Sequence, residues 1–200
     1  MYPGQPIDHA SRGFTLAELL IALMILGVIA TFTIPKILTS QQDSKRLAIF
    51  KEVFAAADGV IYQNYMQGRI QLGGTTNASY LLSGLNAVKV CSSNAQSEGC
   101  WTQALDGNLS SEAGEPGLLL HNGATIIGLS DALMASPHGY AGLGIDWNGA
   151  DGPNTEGQDQ LRAHMCWETT PCWGGEVPGG TLGVRTSDTA SRTLYTTIFQ

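Results

Sequence analysis

The sequence predicts an α+β chain, with one long N-terminal helix followed by a loop-rich head of short strands. Two patterns carry this reading. From Phe14 to Ile34 the chain reads FTLAELLIALMILGVIATFTI, apolar throughout except for Glu18, and Phe50, Val53, Phe54, Ala57, Val60 and Ile61 then recur at three- and four-residue spacing. After Gly73 this periodicity gives way to short segments separated by glycine, serine and asparagine.

The apolar run of about 21 residues, at about 1.5 Å per residue, matches the roughly 30 Å hydrocarbon core of a bilayer. It is preceded by a polar leader, MYPGQPIDHASRG, ending Arg12-Gly13. A conventional secretory signal places its cleavage site after the apolar core, so the core is discarded. Here the best processing site lies before it, between Gly13 and Phe14. Cleavage there leaves the hydrophobic segment on the mature chain, whereas a conventional cut would fall after Ala30. Glu18 stands out on physical grounds alone. A carboxylate inside a membrane segment costs about 2.5 to 3.5 kcal/mol on insertion scales, so it marks a functional position and needs a partner.

Pro35 removes a backbone donor and is expected to kink or loosen the helix, with Gly27, Thr31 and Thr33 as weak helix formers before it. Residues 36–68 read as an amphipathic helix whose apolar face packs on a sheet, with Gly68 as its stop. Residues 69–200 form the head. Its candidate strands are Ala124 to Leu129, Tyr140 to Ile145, Thr181 to Arg185 and Arg192 to Phe199, while residues 74–117 read as loops and a short helix.

With 43% hydrophobic residues, 14% charged residues, 25 glycines and a net charge of -7, the chain suits an exported, loop-rich head. No Lys/Arg-rich run is present, so nucleic acid is not an expected partner. The four cysteines fall as two local pairs, Cys91 with Cys100 and Cys166 with Cys172; of the three connectivities, the local one is favoured in an exported chain. The competing reading is a zinc site using His164, Cys166 and Cys172, without a Cys-x-x-Cys pair. Trp101, Trp147, Trp167 and Trp173 read as packing residues. No nucleophile elbow, phosphate loop or His-Glu-x-x-His is present, so no catalytic residue is assigned and an enzyme is not expected.

Gly13, Phe14, Thr15, Leu16, Glu18, Leu19, Leu20 and Ile21, with the apolar run to Pro35, resemble the N-terminal signature of type IV prepilins and type II secretion pseudopilins. The resemblance is strong over residues 11–60. It implies a leader at residues 1–13, a transmembrane and polymerisation helix at 14–35, an amphipathic helix at 36–68 and a pilin-like head at 69–200. It further implies cleavage after Gly13 by a prepilin peptidase, N-methylation of Phe14, and a role for Glu18 in neutralising the Phe14 amine of a neighbouring subunit. In filaments of this family, the stretch from the glycine to the proline, here Gly27 to Pro35, can melt. The implied partners are other copies and related pilins, an assembly platform and a cytoplasmic ATPase. The implied location is the cytoplasmic membrane as a single-pass protein with an extracytoplasmic head, and then a pilus or periplasmic pseudopilus.

The stretch Gly144 to Leu161 resembles a strand-turn element of pilin-like proteins, with Trp147 and Leu161 as departures, and parts of it resemble the calcium loop of major secretion pseudopilins. Asp151 and Asp159, with Asp146 or Glu156, are the candidate ligands for a structural Ca²⁺; Asn148 adds a further oxygen. The same residues also suit a tight loop whose Asn and Asp side chains bond their own backbone. No other cofactor is required. Within the filament class the chain reads as an ordinary or a minor, tip subunit. The alternative from another class is a membrane-anchored extracytoplasmic binding module that uses the same segment only as a tether.

Overall fold

The computed structural model describes residues 13–70, 83–102, 109–130, 140–149, 151–167 and 171–199. The leader up to Arg12 and parts of the 74–117 region lie outside them. The chain divides into two compact units, Met1–Asp43 and Ser44–Gln200.

Helix α1 runs Leu16–Met66. It continues as one helix through Pro35. A proline removes one N–H, and neighbouring hydroxyls can bond back to the ladder. Thr31, Thr33 and Thr39 do so, donating to Gly27 O at 2.8 Å, Ile29 O at 3.0 Å and Pro35 O at 3.1 Å. The helix ends where Gly68 was expected to stop it. Gly68 takes φ 65°, a conformation that L side chains resist, and Arg69 N donates to Asn64 O while Gly68 N donates to Tyr65 O.

Within the second unit, six strands form one antiparallel meander: β1 Ala87–Cys91, β2 Gly117–Leu120, β3 Thr125–Ile127, β4 Tyr140–Asp146, β5 Gln160–Cys166 and β6 Thr181–Gly183, in sheet order β1-β2-β3-β4-β5-β6. Period-two alternation sends Leu118, Leu120, Ile126, Ala141, Leu143, Ile145, Leu161, Ala163, Met165 and Leu182 to one face. There they meet Ile49, Phe50, Val53, Phe54, Ala57 and Ile61 of α1, the face expected from sequence. The other face carries a smaller core of Cys91, Ala95, Cys100, Trp101, Leu109, Ala113 and Ile127. A short helix α2, Ser110–Ala113, belongs to this layer.

Arg192 to Phe199 is not a strand. It lies in helix α3, Thr189–Phe199. Its threonines raise strand propensity, but Ser191, Leu194 and Ile198 recur at helical spacing and bury one face, and packing outweighs propensity. Tyr195 and Phe199 stack against Phe54 with ring centroids 5.3 and 5.2 Å away, tying α3 to α1. Ser191 Oγ accepts from Arg162 N at 2.8 Å, which satisfies a β5 amide that β6 is too short to reach. Strands β1, β2 and β5 went unread. β2 is a bare apolar run, GLLL, and β5 carries Gln, Arg and His on the face where polar groups find buried partners.

The disulfides are Cys91–Cys100 and Cys166–Cys172, with Cα–Cα distances of 6.2 and 5.9 Å. The zinc reading therefore loses both sulfur ligands. His164 instead bonds Asp188 Oδ2 through Nε2 at 2.6 Å, edge-on to Trp173. Burial pushes the His164 imidazole below its usual value, against the pull of Asp188. Trp101 and Trp167 are buried, while Trp147 and Trp173 pack partly buried against the cores.

Candidate functional site

The N-terminal site is built from Gly13, Phe14, Thr15 and Glu18. Gly13 to Thr15 are non-helical and exposed, and α1 begins at Leu16. The bond between Gly13 and Phe14 thus lies outside the helix, in extended or irregular backbone that a peptidase can bind. Phe14 is 87% exposed.

Thr15 is the N-cap of α1 and Glu18 occupies its third position. Thr15 Oγ accepts from Glu18 N at 3.3 Å, and the Glu18 carboxylate accepts from Thr15 N at 2.8 Å and from Thr15 Oγ at 2.9 Å. This reciprocal pair is a capping box, which satisfies two of the orphan donors at a helix start. The role of Thr15 was legible in the spacing Thr15-Leu-Ala-Glu18 but was overshadowed by the charge of Glu18. Glu18 therefore has a local partner within the chain and is itself exposed. Among the described residues, α1 is the one helix long and apolar enough to cross a membrane.

The second candidate site is the β4–β5 connection. Asp146 and Asp159 are buried, Glu156 is buried, and Asp151 is exposed. Asp146 Oδ1 accepts from Asn148 N at 3.0 Å and Gly149 N at 3.1 Å, and Oδ2 accepts from Gln160 Nε2 at 3.1 Å. The Asn154 amide, oriented so that its nitrogen faces acceptors, adds a donor to Asp146 Oδ2 at 3.2 Å and bridges to Gly149 O and Thr102 O. Asp159 accepts from Asn154 N at 2.6 Å and Thr155 N at 2.7 Å. Glu156 accepts from Ser191 Oγ. Burial pushes the Asp146 carboxyl up to about 7, with the Gln160, Asn148 and Gly149 donors pulling the other way and Asp159 adding repulsion.

Hydrogen bonds within the chain hold Asp146, Glu156 and Asp159 in place. Calcium takes about six to eight oxygens and needs free carboxylate lone pairs converging on one point. Here both oxygens of Asp146 and both of Asp159 already accept N–H groups, Asp151 stands apart, and among the described residues no group of three or more His, Cys, Asp or Glu is placed to hold a metal ion.

Beneath the second core lies a buried ion pair that sequence reading missed. Arg162 Nη2 donates to Glu112 Oε1 at 2.8 Å, with the two side chains 22% and 4% exposed. The carboxylate occupies space left by a glycine: a Cβ on Gly142 would stand 2.5 Å from Glu112 Oε1. No local pattern could have paired residues 50 positions apart.

The family model described as "Prokaryotic N-terminal methylation motif" matches residues 8–34. The matched stretch is the class III signal-peptide motif found in type IV pilins and pseudopilins, and it spans the Gly13–Phe14 junction, the capping box and the apolar first part of α1. The motif supports a pilin-like precursor, and proteins that bear it are in general processed by prepilin peptidase and assembled into filaments. No curated protein and no solved structure matches the chain.

Proposed function

We propose that this chain is a structural subunit of a type IV pilus or of a type II secretion-like pseudopilus, polymerised through its N-terminal helix. One observation carries the reading. The methylation motif coincides with a non-helical Gly13–Phe14 junction and with Glu18 as the single ionisable side chain between Phe14 and Ile34.

Hydrolysis of the Gly13–Phe14 amide by prepilin peptidase frees a cationic α-amino group on Phe14, which methylation leaves protonated near neutral pH. Glu18 of an incoming subunit then exchanges part of its Thr15 bonding for that amine on a neighbour. Opposite charges about 4 Å apart attract by roughly 4 kcal/mol at an effective dielectric near 20, enough to offset the insertion cost of the carboxylate. A pair of this kind fixes the axial register of one helix against the next. The membrane holds the pool of subunits, an assembly platform and cytoplasmic ATPase extract them, and the head with its two disulfides remains extracytoplasmic.

The test is intact mass combined with imaging. Membrane-extracted protein should weigh residues 14–200 plus one methyl group, and sheared extracellular or periplasmic filaments should contain it. A mature start at Thr31 would overturn the reading. Correct processing with no filament under any growth condition would favour the anchored binding module.

A further inference from the structure

The β4–β5 connection has the composition of a calcium loop and the bonding of something else. Three of its four candidate carboxylates, Asp146, Glu156 and Asp159, already hold structural hydrogen bonds. Asp146 ties the start of the loop to Asn148 and Gly149 and spans it to Gln160 at the start of β5. Asp159 closes the far side onto the amides of Asn154 and Thr155. Glu156 reaches Ser191 of α3, whose hydroxyl also accepts from Arg162 N. Arg46 of α1 donates to Gln158 O at 3.3 Å, and Gly157 packs on Ala190 so closely that a Cβ would meet the Ala190 Cβ at 3.0 Å. The loop is thus stitched to both helices and to β5.

We propose that Asp146, Glu156 and Asp159, with the residues they bond at 148–149 and 154–160, form a metal-independent clasp, in which backbone and side-chain N–H donors neutralise Asp146 and Asp159 in place of a cation, and which holds α3 and the head portion of α1 to the sheet. The physical reason is competition for lone pairs. Those donors take most of the roughly eight lone-pair sites of Asp146 and Asp159, and among the described residues no group of three His, Cys, Asp or Glu is placed to complete a shell around a cation. Five protein donors already hold these two carboxylates in place, before that of Asn154 Nδ2 is added. The clasp does not depend on the filament reading; it is a property of the head in either case.

The experiment uses the full chain in detergent micelles, in mildly alkaline buffer so that Asp146 is ionised. Thermal unfolding is recorded with millimolar CaCl₂ and with chelator, and equilibrium dialysis measures bound Ca²⁺. The clasp predicts coincident melting curves and no stoichiometric ion. A site occupied at a hundredfold excess over its dissociation constant would instead raise the melting temperature by roughly 5 to 10 °C in a chain of this size. Asp159→Asn should lower the melting temperature equally in calcium and in chelator, because it weakens the Asn154 and Thr155 bonds whatever the ion. Asp151→Ala, at an exposed residue outside the clasp, should change neither curve. One bound ion per chain, a calcium-dependent rise that either substitution removes, or an Asp159→Asn protein as stable as the parent in chelator would each overturn the proposal. Dialysis of the unsubstituted chain decides the question even if Asp159→Asn fails to fold.

Discussion

Single carboxylates in this protein do separate work according to what surrounds them. Glu98 is half-buried, and its carboxylate closes the Cys91–Cys100 loop by accepting from Ser92 N, Ser93 N, Ser93 Oγ and Asn94 N; these bonds hold it down at about 2. A carboxyl depressed in the folded state stabilises above its unfolded value and loses that contribution as pH falls. The window here runs from about 4.5 down to about 2. Glu98→Gln should therefore melt below the parent at neutral pH, and the gap should narrow on acidification through that window. Parallel melting curves across the whole range would contradict this. Glu112 is the opposite case, nearly fully buried and paired with Arg162. Removing one partner of a buried pair strands the other charge, so Glu112→Ala should cost about 3 kcal/mol by denaturant titration. Replacing both partners with methionine should cost less, because no charge is then left unpaired.

At the scale of elements, the sheet is held between two apolar layers, and each disulfide pins a connection. The bridges close short loops, with sequence separations of 9 and 6. In the chain-entropy model each contributes about 2 to 3 kcal/mol, so Cys91→Ser with Cys100→Ser should lower stability by that amount while leaving the α1–sheet core intact. Non-reducing peptide maps should show the two local pairings, and cross-pairing would refute them. The contact between α1 and α3 depends on Phe54, Tyr195 and Phe199. Phe54→Ala should cost about 3 to 5 kcal/mol, since it removes a buried ring and leaves a cavity that two aromatic neighbours cannot collapse into.

For the whole molecule, filament yield tests the proposed assembly. Glu18→Gln should be inserted and cleaved as the parent is, because the anchor itself has no need of a carboxylate and loses an insertion penalty when the charge goes. Assembly should fall tenfold or more. Loss of only about 1.4 kcal/mol at each subunit contact is a factor of ten, and the proposed charge pair exceeds that. Shearing followed by quantitative immunoblotting measures it, and an unchanged filament fraction would remove Glu18 from the register-setting role. The same preparation probes the unfolded side of processing: a bulky residue at Gly13 should leave the precursor uncut in the membrane.

By itself, the sequence carried the N-terminal motif, because the signals there are local: an apolar run of membrane length, a lone carboxylate and a Gly-Phe pair just before the run. It likewise determined the buried face of α1 from Phe50 to Ile61, which follows from helical periodicity, and the stop at Gly68, which only a residue tolerant of positive φ satisfies easily. The tertiary structure alone decided the rest. It turned Arg192 to Phe199 into a helix, since burial of Leu194 and Ile198 against α1 and β5 outweighs the strand preference of the threonines between them. It paired Glu112 with Arg162 and His164 with Asp188, contacts made across distant parts of the chain that no spacing encodes. It also assigned the lone pairs of Asp146 and Asp159 to N–H groups, a matter of competition between donors that composition cannot express because the same oxygens suit a cation or an amide.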